Sequence, residues 1–390
     1  MQLRIVFISN FFSPHLEPFS ESLYSKTYSY CFISLEKAPD DLLGRREEEV
    51  PSYVLDYSND KNTCEKKIDD ADVIILGSVS GEMIHRCTCS DKIVFFYSER
   101  PLKNGTENIK FFPRWIKWHV QGRSKTNCFL LSAGAFAASD YHHYGLFKNR
   151  SYKWGYFPVF MNCEGKFECN EFREKVNILW CGRLLDWKHP ESALWVAEKL
   201  KRDSMKFHLR LIGSGPMESK LKSIIAQHKL DECVELAGAM SPQAVRKSMM
   251  DADIFLFTSD KREGWGAVLN EAMNSADAVV ASDAAGSVPY LIREGFNGLV
   301  YHSGDWEQLY DKVKYLLKAP EKRREIGREA YKTICTLWNA ETASERFLQL
   351  ISHIQSGEKT EIFSDGPCSK AEDITDQWYI NQMDDKYHLS

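Results

Sequence analysis

The sequence has no uninterrupted apolar run of the length that a membrane-spanning helix needs. Its first residues, Met1–Ile8, are too short for a signal peptide and predict a β-strand. A large net charge is also missing, since the chain carries −5 at neutral pH, which argues against a general nucleic-acid binder. We therefore expect a cytoplasmic protein, at most peripheral on the inner face of the cytoplasmic membrane, with no nucleic-acid partner.

Disulfide and zinc-site patterns are absent from the 11 cysteines, which are scattered and odd in number. No pair has the spacing and the second pair that a structural zinc site requires, so reduced thiols are expected. The stretch Asp251–Asp253 lies at the start of a predicted strand, whereas ligands of parallel sheets bind at strand ends. We expect a solvated strand start there and no metal.

What the sequence does contain is an alternation of strand-like and helical stretches, which is typical of α/β proteins with parallel sheets. Nine strands are predicted, at 3–8, 73–76, 93–97, 128–131, 177–181, 208–212, 234–236, 254–258 and 278–282. A polar stretch after Pro158 separates the two sets. The division predicts a Rossmann-like domain at 1–165, a second at 170–355 and a polar acidic tail at 356–390.

Three strand ends in the second half are followed by residues that suit a phosphate-bearing ligand. Gly182–Lys188 supplies a guanidinium fork at Arg183 and an ammonium at Lys188. Gly213–Gly215 and Gly238–Met240 are small-residue turns that let the backbone approach a ligand. Each pattern is common when it stands alone, so their combination carries the prediction.

The stretch Glu263–Glu271 is the most informative one, because an acidic residue stands on each side of a glycine-rich turn. The residues after the turn read as a helix, whose first N–H groups would point at an anion. On a helix the two carboxylates would lie about 12 Å apart along the axis. That exceeds the roughly 5 to 9.5 Å of a paired acid and base. It suits a long ligand with hydroxyls at both ends and a charged middle, such as a nucleotide sugar.

Residues 176–350 resemble the donor-binding half of the family-4 retaining glycosyltransferases, which have the GT-B fold. The motifs that match, in the family's order, are Gly182-Arg183-Leu184 with Lys188, Ile212–Pro216, Glu263–Gly266 through Glu271-Ala272-Met273, Val279–Asp283 and Asn297–Val300. The resemblance implies an α/β protein of GT-B fold, with two Rossmann-like domains facing across a cleft, C-terminal helices and an acidic tail.

The resemblance also implies roles for single residues. Arg183 and Lys188 would neutralise the donor diphosphate, Glu263 would hold the sugar, and Glu271 would bind the ribose hydroxyls. The remaining predicted donor-binding residues are Gly264, Trp265, Gly266, Gly213, Ser214 and Met240. The nucleotide sugar would be a co-substrate, with no metal or other cofactor required.

Two regions depart from the family pattern. Where the family has Gly-x-Pro-Glu, this chain reads Ser287-Val288-Pro289-Tyr290, so the carboxylate is missing. In the first half, the family's glycine pair is replaced by Glu17-Pro18-Phe19, and no histidine follows the strand at 93–97. His15 and Glu99 are the candidate acceptor-side residues, and an ordinary structural role is the alternative for each.

Lys103–Lys125 is a locally basic stretch in an acidic chain, with six basic residues against one glutamate. Aromatic residues alternate with the cations, which suits an anionic membrane interface. The candidate membrane residues are Lys110, Arg114, Trp115, Lys117 and Trp118. The alternative is that the aromatic rings pack in the core and the cations only coat the surface.

The leading functional prediction is a retaining, metal-independent hexosyltransferase that uses a UDP-sugar, with galactose or glucose favoured. Its acceptor would be a glycolipid or lipid-linked hydroxyl in cell-surface polysaccharide or glycolipid biosynthesis. The alternatives are a GDP-mannose-dependent transferase, a GT-B epimerase or phosphorylase, and a donor-binding protein without turnover. The tail is predicted to be solvated or, alternatively, to dock on the first domain through Trp378, Tyr379, Ile380 and Met383.

Overall fold

A computed structural model describes residues 3–37, 50–103, 111–168, 174–358 and 360–379. Two compact units share the chain. Unit 1 comprises the residues up to Val159 together with Asn339–Ile374, and unit 2 comprises Phe160–Trp338 together with the residues from Thr375 onward. Each unit is built around one parallel sheet, so the predicted pair of Rossmann-like sheets is confirmed.

Unit 1 contains a seven-stranded sheet whose spatial order is β3-β2-β1-β4-β5-β6-β7. The strands are β1 (Arg4–Ser9), β2 (Ser29–Ser34), β3 (Val54–Asp56), β4 (Val73–Leu76), β5 (Ile93–Ser98), β6 (Cys128–Ala133) and β7 (Ser151–Trp154). All neighbours pair in parallel.

Unit 2 contains a six-stranded parallel sheet in the order β10-β9-β8-β11-β12-β13. Its strands are β8 (Val176–Cys181), β9 (Phe207–Ile212), β10 (Val234–Gly238), β11 (Ile254–Phe257), β12 (Ala278–Ser282) and β13 (Leu299–Tyr301). Because the strands are parallel, their carboxyl ends share one edge of the sheet, where ligands of such sheets bind.

Helices connect the strands in both units. They are α1 (Glu17–Lys26), α2 (Lys61–Asp70), α3 (Gly81–Thr88), α4 (Phe111–Val120), α5 (Ala135–His142), α6 (Glu164–Glu168), α7 (Pro190–Arg202), α8 (Glu218–Gln227), α9 (Pro242–Asp251), α10 (Ala267–Asn274), α11 (Val288–Leu291), α12 (Trp306–Lys318), α13 (Pro320–Thr336) and α14 (Ala340–Ser356). No helix within the described ranges is long and apolar enough to cross a membrane.

The central strands are the ones that the sequence predicts best. Every residue of β4, β6, β11 and β12 is buried, because helices cover both faces of a parallel sheet. Such strands appear in the sequence as continuous apolar runs. The strands β2, β3, β7 and β13 are absent from the sequence-based set; three of them have four residues or fewer, and β2 has a serine at each end.

The C-terminal helix α14 belongs to unit 1, although the sequence-based division places it in the second domain. Phe347 packs edge-on against Phe95 of β5 at 4.9 Å and against Phe19 of α1 at 5.9 Å between ring centroids. The hydroxyl of Ser22 donates a 2.8 Å hydrogen bond to Glu341. The periodicity of the sequence predicts this helix, but it does not predict which of the two sheets the apolar face of the helix packs against.

The described part of the tail is docked. Cys368 and Ser369 are buried and exchange backbone hydrogen bonds with Lys153 of β7, at 2.9 and 2.7 Å. Trp378 and Tyr379 instead contact unit 2, through the carbonyls of Asp283 and Val300, each at 2.8 Å. The prediction of a solvated tail is therefore wrong for these residues. The alternative prediction, that Trp378 and Tyr379 dock on the first domain, is also wrong. Ile380 and Met383 lie outside the described residues.

The cysteines within the described ranges are all free thiols. Cys169 lies outside those ranges. Asp253 accepts a 2.8 Å hydrogen bond from the backbone N–H of Asn177 and so braces the start of β8. This contact agrees with the interpretation of Asp251–Asp253 as a strand start.

Candidate functional site

Three loops at the carboxyl edge of the second sheet are joined by main-chain hydrogen bonds. The N–H of Gly182, just after β8, donates to the carbonyl of Ile212 at 3.0 Å. The N–H of Gly213, just after β9, donates to the carbonyl of Gly238 at 2.8 Å. The ends of β8, β9 and β10 thus form one continuous backbone surface. We call these hydrogen-bonded loops, 182–188, 213–217 and 238–241, the loop floor.

Two positions of the loop floor require glycine. Gly213 has φ of +140°, and a Cβ atom there would lie 1.9 Å from the carbonyl oxygen of Gly182. Gly215 has φ of +156°, and its Cβ would lie 2.6 Å from the carbonyl oxygen of Leu184. The N–H of Leu184 donates to the carbonyl of Ser214 at 2.9 Å. The Gly-Ser-Gly turn is therefore a packing requirement, as well as a route for close approach to a ligand.

The two predicted phosphate-binding cations have different surroundings. Arg183 is exposed, and its guanidinium has no hydrogen bond or ion pair among the described residues. Lys188 ends a short 3₁₀ turn and forms an ion pair with Glu263, in which each side chain is 13% exposed. Its ammonium also lies 4.6 Å from the ring centroid of Trp187. Lys188 is thus held in place, whereas Arg183 faces solvent.

Glu263 is fixed by several contacts that the sequence does not reveal. Its carboxylate accepts a 3.0 Å hydrogen bond from the buried hydroxyl of Ser259, in addition to the ion pair with Lys188. Its carbonyl accepts from the N–H of Gly286 at 3.3 Å. Ser259 and Gly286 follow β11 and β12, so neighbouring strand ends position this carboxylate.

The glycine-rich turn leads directly into α10, as predicted. Gly266 has φ of +87° immediately before the helix, and a Cβ there would lie 2.3 Å from the ring of Phe257. Trp265 is fully buried, and its indole N–H donates to the side-chain oxygen of Asn270 at 2.7 Å. The indole of Trp265 therefore packs beneath the turn, and only its main chain is left to face a ligand.

Glu271 lies in the second turn of α10 and is half-buried. Burial raises the pKa of its carboxyl above the ordinary value, and the positive charge of Arg246 partly opposes that shift. Burial raises the pKa of the neighbouring Cys181 thiol to about 12, and the charge of Glu271 adds to that shift. The Glu271 carboxylate has no hydrogen-bond partner within the described ranges, so its oxygens are free to accept hydroxyl groups.

The stretch from Glu263 to Glu271 is not one continuous helix. The helix starts at Ala267, so only half of the stretch between Glu263 and Glu271 is helical. The turn carries Glu263 toward Lys188 at the end of β8 instead of along the helix axis. The helical estimate of their distance therefore does not apply.

Ser214 and Met240 lie in the loop floor with their side chains exposed, and Met240 keeps 38% of its surface accessible. The structure thus collects the second-half candidates at one sheet edge. The side chains of Arg183, Ser214 and Met240 face solvent there, while Gly264 is buried beside Trp265.

The acceptor-side candidates of unit 1, His15 and Glu99, meet at Tyr156. The phenol of Tyr156 donates to Glu99 at 3.0 Å, and the ring of Tyr156 lies 5.5 Å from that of His15. Glu99 is also ion-paired with Lys103. A polar cluster therefore follows β1 and β5, and nothing in the local sequence around Tyr156 signals it.

The basic-aromatic stretch divides into an inner and an outer face on α4. Trp118 is buried against Tyr141 and Tyr144, and half-buried Arg114 donates to the hydroxyl of Tyr144 at 3.3 Å. Trp115 and Lys117 are exposed. Their exposed apolar neighbours on the helix are Phe112, Ile116 and Val120. Lys110 lies outside the described residues.

Comparison with known proteins places these features in a family context. Residues 164–333 match the family model described as Glycosyl transferases group 1. The putative colanic acid biosynthesis glycosyltransferase WcaL of Salmonella typhimurium is 30% identical over 132 residues, which are 33% of this chain and 32% of that protein. The amylovoran biosynthesis glycosyltransferase AmsK of Erwinia amylovora is 32% identical over 141 residues, 35% of this chain and 34% of that protein. The matches span about a third of these relatives.

Solved structures match over most of the chain. Alr3699/HepE of Anabaena in complex with UDP aligns with 90% of this chain and 100% of its own, at a TM-score of 0.66 and 13% identity. A glycosyltransferase from Rickettsia africae aligns with 92% of this chain and 100% of its own, at a TM-score of 0.64 and 15% identity. At this identity the agreement shows the fold. Residues 164–333 thus match the glycosyl transferases group 1 family that the motifs predicted, and the chain has the GT-B fold.

Proposed function

We propose that the protein is a retaining glycosyltransferase that moves a hexose from a UDP-sugar to an acceptor hydroxyl in cell-surface polysaccharide biosynthesis. The observation that carries the proposal is the Lys188–Glu263 ion pair, which joins the loop floor to the turn before α10. UDP is the proposed nucleotide because the similar HepE structure contains it. The polysaccharide setting follows from the relatives WcaL and AmsK, which are named for colanic acid and amylovoran biosynthesis.

In the proposed reaction the diphosphate lies over the loop floor, beside Arg183 and Lys188. These cations and the helix N–H groups stabilise the negative charge that develops on the leaving diphosphate, which is usually the largest catalytic contribution in such a site. Glu263 holds the sugar through its hydroxyls and Glu271 accepts from the ribose. The acceptor attacks the face from which the diphosphate leaves, and a donor phosphate oxygen takes the acceptor proton. Arg183, Lys188 and the helix N–H groups would together face the negative charge of the diphosphate, so we propose that no metal is needed.

The phosphate assignment is tested by removing each cation. Arg183→Ala and Lys188→Ala should each lower hexose transfer by at least roughly a hundredfold, because an electrostatic partner of the transition state is lost. Arg202→Ala and Lys199→Ala remove surface cations of the same unit and should leave turnover unchanged. Circular dichroism establishes that all four variants fold. Near-normal transfer by either site variant, or loss of transfer in EDTA, contradicts the corresponding part of the proposal.

The alternatives are distinguished by their products. A labelled UDP-hexose or GDP-mannose gives a labelled acceptor in a transferase, an isomerised donor in an epimerase and a sugar phosphate in a phosphorylase. Binding without any product identifies a donor-binding protein. A thermal-shift screen against UDP- and GDP-sugars chooses the donor first, since a ligand at 100 times its Kd stabilises by about 2.7 kcal/mol.

We also propose that unit 1 binds an anionic membrane surface through the outer face of α4, which would give access to a lipid-linked or glycolipid acceptor. Phe112, Ile116 and Val120 are 71%, 51% and 67% exposed and recur at helical spacing. Exposed Lys117 lies among them, and the sequence from Asn108 to Ser139 contains no acidic residue. An apolar face with cations and no carboxylates fits an anionic bilayer interface.

Vesicle sedimentation tests the membrane proposal. The wild-type protein should sediment with vesicles of equal phosphatidylglycerol and phosphatidylcholine at low salt, and less at high salt. The double variant Ile116→Ser, Val120→Ser should stay in solution. Val50→Ser is the matched control, because Val50 is also 67% exposed but lies next to β3 at the far edge of the sheet. Equal sedimentation of the double variant and the wild-type protein would rule out this face.

A further inference from the structure

Tyr290 stands where the resembled family carries a glutamate, and it takes part in an aromatic cluster. Its ring is stacked on Trp338, with 5.9 Å between centroids and 17° between planes. Trp338 in turn lies 5.8 Å from Trp265, and Tyr290 lies 6.4 Å from the same indole. Both tryptophans are fully buried and Tyr290 is 6% exposed. The three rings form one compact group, which we call the aromatic triad.

The aromatic triad lies directly beneath the turn that carries Glu263. Trp265 is itself part of the turn, and its carbonyl accepts from the N–H of Ser287 at 3.3 Å. The adjacent Gly286 N–H donates to the carbonyl of Glu263, also at 3.3 Å. The segment that leads to Tyr290 is thus connected to the turn by two main-chain hydrogen bonds and by ring packing.

We infer that Tyr290 is a positioning residue for the sugar end of the site. Its ring packs on Trp338 and Trp265 and thereby fixes the position of the Glu263–Gly266 turn. The resembled family has a carboxylate at this position instead. The inference rests on the proposed function for its ligand. Buried aromatic rings pack closely and resist displacement, so a turn that packs against them has a fixed position. A carboxylate at position 290 would be buried between two indoles, at a large desolvation cost.

The two ends of the donor should depend differently on the Tyr290 ring. The loop floor is held by its own main-chain hydrogen bonds, and the hydrogen bond from the aromatic triad to α10 goes to Asn270 and not to Glu271. Loss of the Tyr290 ring should therefore weaken contacts with the hexose and leave those with the nucleotide. A displacement of about 1 Å at a catalytic group can lower the rate roughly a hundredfold.

Calorimetry with UDP and with UDP-glucose or UDP-galactose tests this separation. Tyr290→Leu should weaken binding of the UDP-hexose roughly tenfold and lower kcat, with the Kd of UDP within about twofold of wild type. Tyr290→Phe keeps the ring and should behave as wild type, whereas Tyr290→Glu should be at least as impaired as Tyr290→Leu. Trp306→Ala is the control, since it disrupts a comparable ring pair with Trp195, at 6.0 Å, on the helices α7 and α12.

Hydrogen exchange of the amides at 263–270 gives a measurement that needs no ligand. Tyr290→Leu, and Trp338→Phe if the leucine variant does not fold, should speed exchange there and leave β8 and β9 protected. Unchanged exchange would overturn the inference, as would an equal loss of UDP and UDP-hexose affinity. If the wild-type protein binds no UDP and no UDP-hexose while exchange responds as expected, the proposed function fails and the positioning role stands.

Discussion

At the scale of single residues, Glu263 and Glu271 have different environments. Glu263 is constrained by Lys188 and Ser259, whereas the half-buried carboxylate of Glu271 has no hydrogen-bond partner among the described residues. A carboxylate that is already engaged keeps a fixed orientation, which suits the reacting sugar. A partly desolvated carboxylate gains most from hydroxyl donors, which suits the ribose.

From this difference we expect a split in the kinetics of the two alanine variants. Glu271→Ala should raise the donor KM roughly tenfold to hundredfold, because a hydrogen bond to a charged group is lost in ground and transition states alike. Glu263→Ala should chiefly lower kcat. Initial-rate kinetics over a range of donor concentrations measures both. A change in KM alone for Glu263→Ala contradicts its assignment to the sugar.

Asp277 shows how burial alone can couple stability to pH. It is fully buried at the start of β12, where one carboxylate oxygen accepts from Lys166 at 2.6 Å and the other has no partner among the described residues. Burial raises the pKa of this carboxyl to about 7, and the charge of Lys166 only partly offsets the shift. The folded protein therefore binds a proton that the unfolded chain has released between about pH 4 and 7.

A carboxyl group whose pKa is higher in the folded protein than in the unfolded chain stabilises the folded state at low pH. That stability is lost as pH rises through the pKa of the folded protein. The free energy of unfolding of Asp277→Asn, relative to that of the wild-type protein, should accordingly rise from pH 5 to pH 8, by at most about 3 kcal/mol. Urea unfolding at both pH values measures the difference, with the exposed Asp311→Asn as control. A pH-independent difference would show that Asp277 stays ionised throughout.

At the scale of elements, the strands with continuous apolar sequences were predictable, and so were the loops that follow them. The sequence identifies β4, β11 and β12 because both faces of these strands are buried. It could not identify Tyr156 as a partner of Glu99, or Ser259 as a partner of Glu263. Those contacts depend on which strand ends become neighbours, and no local pattern encodes the order of strands in a sheet.

The loop floor gives an element-scale prediction. Gly213→Ala should destabilise unit 2 by more than about 1 kcal/mol and weaken UDP binding, because the new Cβ would collide with the Gly182 carbonyl. Gly304→Ala is the matched control: its φ of +90° also disfavours alanine, but nothing lies within 4 Å of the added atom. Thermal unfolding and UDP titration test both variants. Equal UDP binding by the two would show that the loop floor can shift without loss of the site.

At the scale of the whole molecule, the chain leaves unit 2 after Trp338, adds α14 and the residues up to Ile374 to unit 1, and returns to unit 2 at Thr375. Tyr379, which is 3% exposed, ends the described part of this path beneath β13. A division of the sequence into consecutive domains assigns each stretch to one domain. It could therefore not predict that the C-terminal residues contribute to both units.

Truncation after Ile374 should therefore weaken unit 2 selectively. Loss of the buried Tyr379 ring should cost about 3 to 5 kcal/mol, the usual range for removing a large aromatic side chain. Tyr379→Phe loses only the hydrogen bond to Val300 and should cost about 1 kcal/mol. Hydrogen exchange should show faster exchange in β12 and β13 and no change in β1–β7. Faster exchange in β1–β7 instead would assign these residues to the stability of unit 1.

The loop floor has a consequence for how readily the specificity of the site can change. Its hydrogen bonds join N–H and C=O groups, which substitution of a side chain does not remove. Arg183, Ser214 and Met240 stand on this backbone with exposed side chains. Libraries randomised at Ser214 and Met240, with the glycines and Arg183 retained, should yield many folded variants with altered donor preference, because recognition can diversify there while the framework stays constant.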